Sequence, residues 1–430
     1  MAWFGRRSLL LVSLAAFLLL VGVAPTARAD ESAPLPQSIA GELVPLYDTG
    51  QDSFTWVGVA PETAGDQLNA AAPGIDFNVI YHGFTPEAQA AFQFAVDIWA
   101  TKLSSPIGVT IDATWMPLST GLLGQAGPYN YFKDFAHAPR AGTYYPVALA
   151  SSLAGVDLNP GNPEIVAEFS SVFDWYFGTD GRVPAGKTDF VSVVLHELGH
   201  GLGFTAGSKF TAGVGSFSVG SALLPKAFDP FIINGTAQRL TQAFANSSTA
   251  LGSQFTSNNL FLDGANTVAG AGGSRVKLYA PTTWETGSSI SHLDDATYPA
   301  GNPNSLMTHA LGRAESIHDP GSITMGLFKD IGWALLGSLP TTTVSGTVSP
   351  KVAGLDVGVS VAGVLCPRSS GGTTSASGTF TVTVTCPGGA ATIIANGTAT
   401  APTFVLIPGI PQTVDVSIRR AFLPVLAHDP

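Results

Sequence analysis

Apolar and polar positions alternate with period two over Ile75–Tyr81 ("IDFNVIY") and again over Val109–Trp115 ("VTIDATW"), the pattern of half-buried strands. Between them the period lengthens. In Thr85–Leu103 ("TPEAQAAFQFAVDIWATKL") the apolar residues Ala91, Phe92, Ala95, Val96 and Trp99 recur at helical spacing. Thr85 is placed to cap this helix and Pro86 to begin it. Glu164–Gly178 ("EIVAEFSSVFDWYFG") reads as further strand and turn. Asp189 is an N-cap for Phe190–Phe204 ("FVSVVLHELGHGLGF"), where Phe190, Val191, Val194, Leu195 and Leu198 give a helix a buried side. Residues 205–290 are loop-rich and too long for an ordinary connection, so they predict a structured insertion or a functional surface feature. Ile323–Leu336 ("ITMGLFKDIGWALL") reads as a closing helix.

That order of elements is α+β. After Gly337–Thr343 ("GSLPTTT"), the runs "VSGTVSP", "VGVSVAGVLC", "TFTVTVTC" and "PQTVDVSI" alternate Val and Thr between Gly, Pro and Ser. They predict a small all-β, sandwich-like C-terminal domain. The expected organisation is a signal peptide over 1–29, an N-terminal extension or pro-segment over 30–72, and a catalytic domain over 73–336. A linker follows over 337–344, and the β domain occupies 345–430.

Composition agrees with this division. Charged residues make up 11% of the 430 positions, against 49 Gly and 30 Pro, which favours turns and strands over a helical bundle. The net charge of −11, without a basic run, speaks against nucleic-acid binding. Arg6 and Arg7, the apolar run Ser8–Val23 and "ARA" at Ala27–Ala29 form an export signal that predicts a secreted chain beginning at Asp30. No later segment is apolar enough to span a bilayer. The two cysteines, Cys366 and Cys386, predict one disulfide in an exported protein. The N-terminal part has no cysteine, so a pro-segment there cannot impose latency through a metal-bound thiolate.

The chemistry centres on "LHELGHGLGF", Leu195–Phe204. In a helix His196 and His200 share a face one turn apart and can present ring nitrogens to one zinc ion. Glu197 stands beside them, free to act as general base toward a water activated by that zinc and then to pass the proton to a leaving amine. Gly203 can supply the left-handed turn that ends the helix. A catalytic zinc needs a third protein ligand, and the residues directly after Gly203 hold none; Ala206 stands where a compact H-E-x-x-H-x-x-G-x-x-H motif has its last histidine. His292, His309, His318 and the acidic residues Asp294 and Glu315 all follow the helix and are candidates, His318 lying in what reads as a surface loop. Asp294 and Asp295 are also placed to orient His292 from behind.

The succession "HELGHGLGF", long insertion, "SHLDD", "NSLMTH" and "ITMGLFKDIGW" resembles the leishmanolysin-like metzincins, in particular bacterial exported relatives. The resemblance spans about Ile75 to Trp333 and is carried by those four blocks. It implies a metzincin-like zinc protease fold with His196, His200 and His292 as ligands, Glu197 as the base and Met307 as the Met-turn residue. The chain lacks the many cysteines of the protozoan enzymes. The function implied is a secreted zinc endopeptidase acting on proteins or peptides, extracellular or at the cell surface. The alternatives are a surface adhesin with an inactive protease-like domain and a zinc hydrolase for another amide or ester. No dedicated calcium loop is present, and the sequence does not set an oligomeric state.

Overall fold

A computed structural model describes residues 37–58, 74–336 and, with short breaks, 341–417. The stretch expected to be a signal segment, its expected cleavage site, Gly337–Pro340, Cys386 and His428 lie outside the described residues. The fold mixes α and β, with many strands and few helices. Among the described residues no helix is long and apolar enough to cross a membrane.

The centre is a six-stranded sheet built from β1 (Val44–Val57), β2 (Phe77–His82), β3 (Val109–Met116), β4 (Leu122–Pro128), β5 (Ile165–Ser170) and β6 (Ala310–Ile317). Their spatial order is β6-β1-β4-β5-β3-β2. β4 is antiparallel to both neighbours, and every other pairing is parallel. The stretch expected to be an N-terminal extension or pro-segment contributes β1 to this sheet. β1 lies inside the sheet between β4 and β6, so residues 44–57 belong to the same sheet as the candidate site. The reason is non-local: β1 completes hydrogen bonding on two strands distant in sequence, which a polar, Gly-containing stretch does not advertise.

Two helices pack under this sheet. Helix α1 (Pro86–Ala100) starts where expected, with the Thr85 hydroxyl accepting from the Ala88 amide at 3.3 Å. It buries Ala91, Phe92, Ala95, Val96 and Trp99. Helix α2 (Phe190–Leu202) is buried along its whole length. Its cap is Asp189, whose Oδ2 accepts from the Ser192 amide at 2.9 Å and from the Ser192 hydroxyl at 2.5 Å. At its start Phe190 sits among Phe84, Trp115, Phe169, Trp175 and Phe177, with ring centroids 5.1 to 6.4 Å away. Trp99 Nε1 donates to the Leu195 carbonyl at 3.1 Å and ties α1 to α2.

Helix α3 (Gly321–Ile331) closes this part of the chain, starting and ending slightly before the expected limits. Past its end, Trp333 Nε1 donates to the Leu202 carbonyl at 2.9 Å, clamping the end of α2. The insertion is ordered structure: a hairpin of Ser208–Thr211 with Val214–Phe217, a three-stranded sheet of Ile232–Asn234, Leu260–Leu262 and Val276–Lys277, and short helices.

Thr341–Ser349 begins a separate all-β region, inside the stretch expected to be linker. Its two sheets share one apolar cluster, with Val344, Val348, Phe380 and Val382 from one and Val357, Val359 and Ile393 from the other. Cys366 is buried and disulfide-bonded.

Candidate metal centre

His196 and His200 project from α2 one turn apart, as the i, i+4 spacing requires. His292 reaches the same point from the far end of the insertion. The His200 Nε2 lies 2.9 Å from His196 Nε2 and 3.1 Å from His292 Nε2. These three form the group of metal-ligating side chains that, among the described residues, could hold one metal ion.

The ring nitrogens facing away from that point are all engaged. His196 Nδ1 lies 2.6 Å from the Leu306 carbonyl, His200 Nδ1 2.6 Å from the Phe204 carbonyl, and His292 Nδ1 2.8 Å from the Ser288 carbonyl. A carbonyl can only accept, so each Nδ1 carries the proton and each Nε2 is a bare lone pair. The His200 lone pair then faces those of His196 and His292 at about 3 Å with no proton between them, an arrangement that a cation relieves. Burial keeps the rings in this neutral form. It lowers His196 to about 4 and His200 and His292 well below the ordinary histidine value.

Glu197 is fully buried beside His196, and its carboxylate oxygens make no hydrogen bond of good geometry, with the Ala126 backbone of β4 as a weak neighbour. Burial pushes its carboxyl well above the ordinary value. A buried carboxyl so weakly bonded is costly and needs an explanation. Gly124 of β4 lies directly against it: a Cβ there would stand 3.4 Å from Glu197 Cγ.

The supports of the centre are partly local and partly distant. Gly203 ends α2 with φ of +124°, turning the chain so that the Phe204 carbonyl meets His200. Met307 is fully buried in a turn closed by the Thr308 amide donating to the Ser305 carbonyl at 3.1 Å. Its Sδ packs under Gly199, where a Cβ would stand 2.8 Å from the sulfur. The same turn sends the Leu306 carbonyl to His196 and the Met307 carbonyl to the Leu293 amide at 2.8 Å.

The remaining candidates lie elsewhere. His309 Nδ1 pairs with Asp295 Oδ2 at 2.5 Å, and its ring stacks on Tyr279. His318 is buried, against the surface-loop reading, because its Nε2 joins the Asp189 cap at 2.8 Å. Asp294 caps its own turn through Thr297, and Glu315 accepts from the Gly312 amide. The expectation that Asp294 or Asp295 orients His292 is therefore corrected: the Ser288 carbonyl does so. The sequence reading did not foresee three backbone carbonyls as orienting groups, nor a lysine-lined cavity beside the triad, taken up below. A lysine in an insertion of unknown path gives no signal of either.

A family model described as SPBPB7E8-like matches residues 117–263, a stretch that includes His196, Glu197 and His200 but stops before His292 and Met307. No curated protein and no solved structure matches the chain.

Proposed function

We propose that the chain is an exported zinc-dependent endopeptidase of the leishmanolysin-like metzincin type, with His196, His200 and His292 as ligands and Glu197 as the general base. The observation that carries this reading is the convergence of three proton-free Nε2 atoms, with the fully buried Glu197 carboxyl next in the chain to His196 and bonded by no side chain. The donor set fits zinc: three imidazoles with an open fourth position is a catalytic pattern.

When bound, the ion would supply Lewis acidity toward a substrate carbonyl and a water molecule. The chain's own residues do the rest. The Nδ1–carbonyl bonds hold the three rings in one tautomer and orientation. A nearby cation favours the ionised form of Glu197, drawing its raised pKa back down. Glu197 can then take a proton from the attacking water and deliver it to the departing amine. The seated Met307 and the Gly203 turn fit the resemblance in the sequence, and they support the peptidase reading over a generic metal site.

The test is zinc content of the purified protein together with cleavage of casein by wild type and by Glu197→Ala. The proposal expects one zinc per chain in both and cleavage only in wild type. Full cleavage by Glu197→Ala would falsify the mechanism. Zinc-loaded protein that cuts neither casein, gelatin nor short peptides would favour the inactive-domain alternative.

A further inference from the structure

A cavity of about 300 Å³ lies beside the triad. Its wall on that side includes Ala206 and Ser291, joined by the Ala206 amide donating to the Ser291 hydroxyl at 3.2 Å. Ser291 directly precedes His292, and Ala206 follows the turn whose Phe204 carbonyl holds His200. Two lysines line the cavity, Lys209 from the hairpin and the buried Lys226.

Lys226 makes no ion pair among the described residues; its Nζ has Thr205 Oγ1 at 3.3 Å and the face of Tyr131 at 4.8 Å. Asp229 lies close by with its oxygens already engaged, Oδ1 by the Gly207 amide and Oδ2 by the Lys226 amide. Burial raises Asp229 to about 7 and lowers Lys226 below the ordinary ammonium value, while the charges of Glu42 and Asp229 act to keep Lys226 protonated. A buried ammonium without a direct counter-ion is costly, and a carboxylate entering the cavity would relieve it.

Such a carboxylate is already present. Glu42 lines the cavity and pairs with Lys209 at 2.5 Å. It precedes Val44–Tyr47, which run antiparallel along Leu122–Ala126 of β4, with Leu46 opposite Gly124, the residue against Glu197. Pro45 also meets Gly287 at the cavity edge, where a Cβ would stand 2.7 Å from its Cδ. His196, Glu197, His200 and His292 are at most 1% exposed. An extended segment paired along a strand, with one side chain in a pocket, is how many domains bind peptides.

We propose that this cavity selects an acidic side chain next to the scissile bond, with Lys209 and Lys226 as the specificity-determining residues. Glu42, just before the chain's own β1, holds that position until substrate displaces it. The inference rests on the peptidase reading for the word "scissile", but its charge preference can be measured without catalysis.

The experiment uses the full chain carrying Glu197→Ala, so that bound peptide is not cut. Fluorescence anisotropy follows two labelled peptides that differ only in one central residue, Glu or Gln. Adding Glu42→Gln should tighten binding of the Glu peptide and give about a tenfold preference for it over the Gln peptide. Adding Lys209→Ala to that variant should remove most of the preference, and Lys226→Met should do the same where the protein still folds. Equal binding of the two peptides in the Glu42→Gln background overturns the proposal, as does a preference that survives Lys209→Ala undiminished. Zinc content and casein cleavage of wild type report separately on the peptidase reading. Charge-selective binding without cleavage leaves the pocket and removes the peptidase, and cleavage without charge selectivity does the converse.

Discussion

The two segments that bring histidines to the metal centre are built on opposite principles. Helix α2 is specified locally: an Asp189 cap, a buried aromatic start, i, i+4 histidines and a glycine stop. The Ser288–Met307 segment that carries His292 has no regular element of its own. It is held by backbone bonds to distant strands and turns, with the Ile290 amide donating to the Tyr279 carbonyl at 2.7 Å and the Leu293 amide to Met307. Ile290 itself takes φ of +70°, a strained choice for a β-branched residue. Local rules thus deliver two of the three histidines and Glu197, while tertiary packing delivers His292.

The largest effect that can break this comparison is at the base. Glu197→Gln should lower peptide cleavage ~10²–10⁴-fold with zinc content unchanged, since it removes proton transfer and leaves every ligand. Next comes His292→Ala, which should weaken zinc affinity more than about a hundredfold while the far-ultraviolet spectrum stays as in wild type. An unchanged affinity would mean that the loop histidine is not a ligand and that local sequence alone made the site.

Asp189→Ala sharpens the other half. It removes the cap of α2 and the partner of His318, and thermal or denaturant unfolding should show a loss of about 2 kcal/mol. The smallest change is expected from pH. Surface histidines lose metal as pH falls below about 6.5, because protons compete for the ligand nitrogen. Burial lowers all three histidines, His196 to about 4, so proton competition begins only well below the ordinary value. Zinc content should therefore hold nearly constant from about pH 7 to 5.5 in equilibrium dialysis and fall toward pH 4.

What the sequence revealed follows the same divide. The Thr85 and Asp189 caps, strands Phe77–His82, Val109–Met116 and Ile165–Ser170, and helix α2 are all written in short-range patterns. The placement of His292 and Met307 next to α2 was reachable only through the resemblance of motif order. β1 was missed because its partners are β4 and β6, and half its pairing is to a strand that follows the third histidine. His318 looked exposed because its neighbours in sequence are polar, yet its carboxylate partner comes from the start of α2. The cavity was out of reach for the same reason: Glu42, Lys209 and Lys226 meet only in the folded chain.

The most direct test of the central claim is X-ray absorption at the zinc edge on the purified, zinc-loaded protein. The account predicts an inner shell of nitrogen and oxygen at about 2.0–2.1 Å with outer-shell scattering from three imidazoles, falling to two in His292→Ala. A spectrum with two imidazoles in wild type, or one unaltered by His292→Ala, would contradict it.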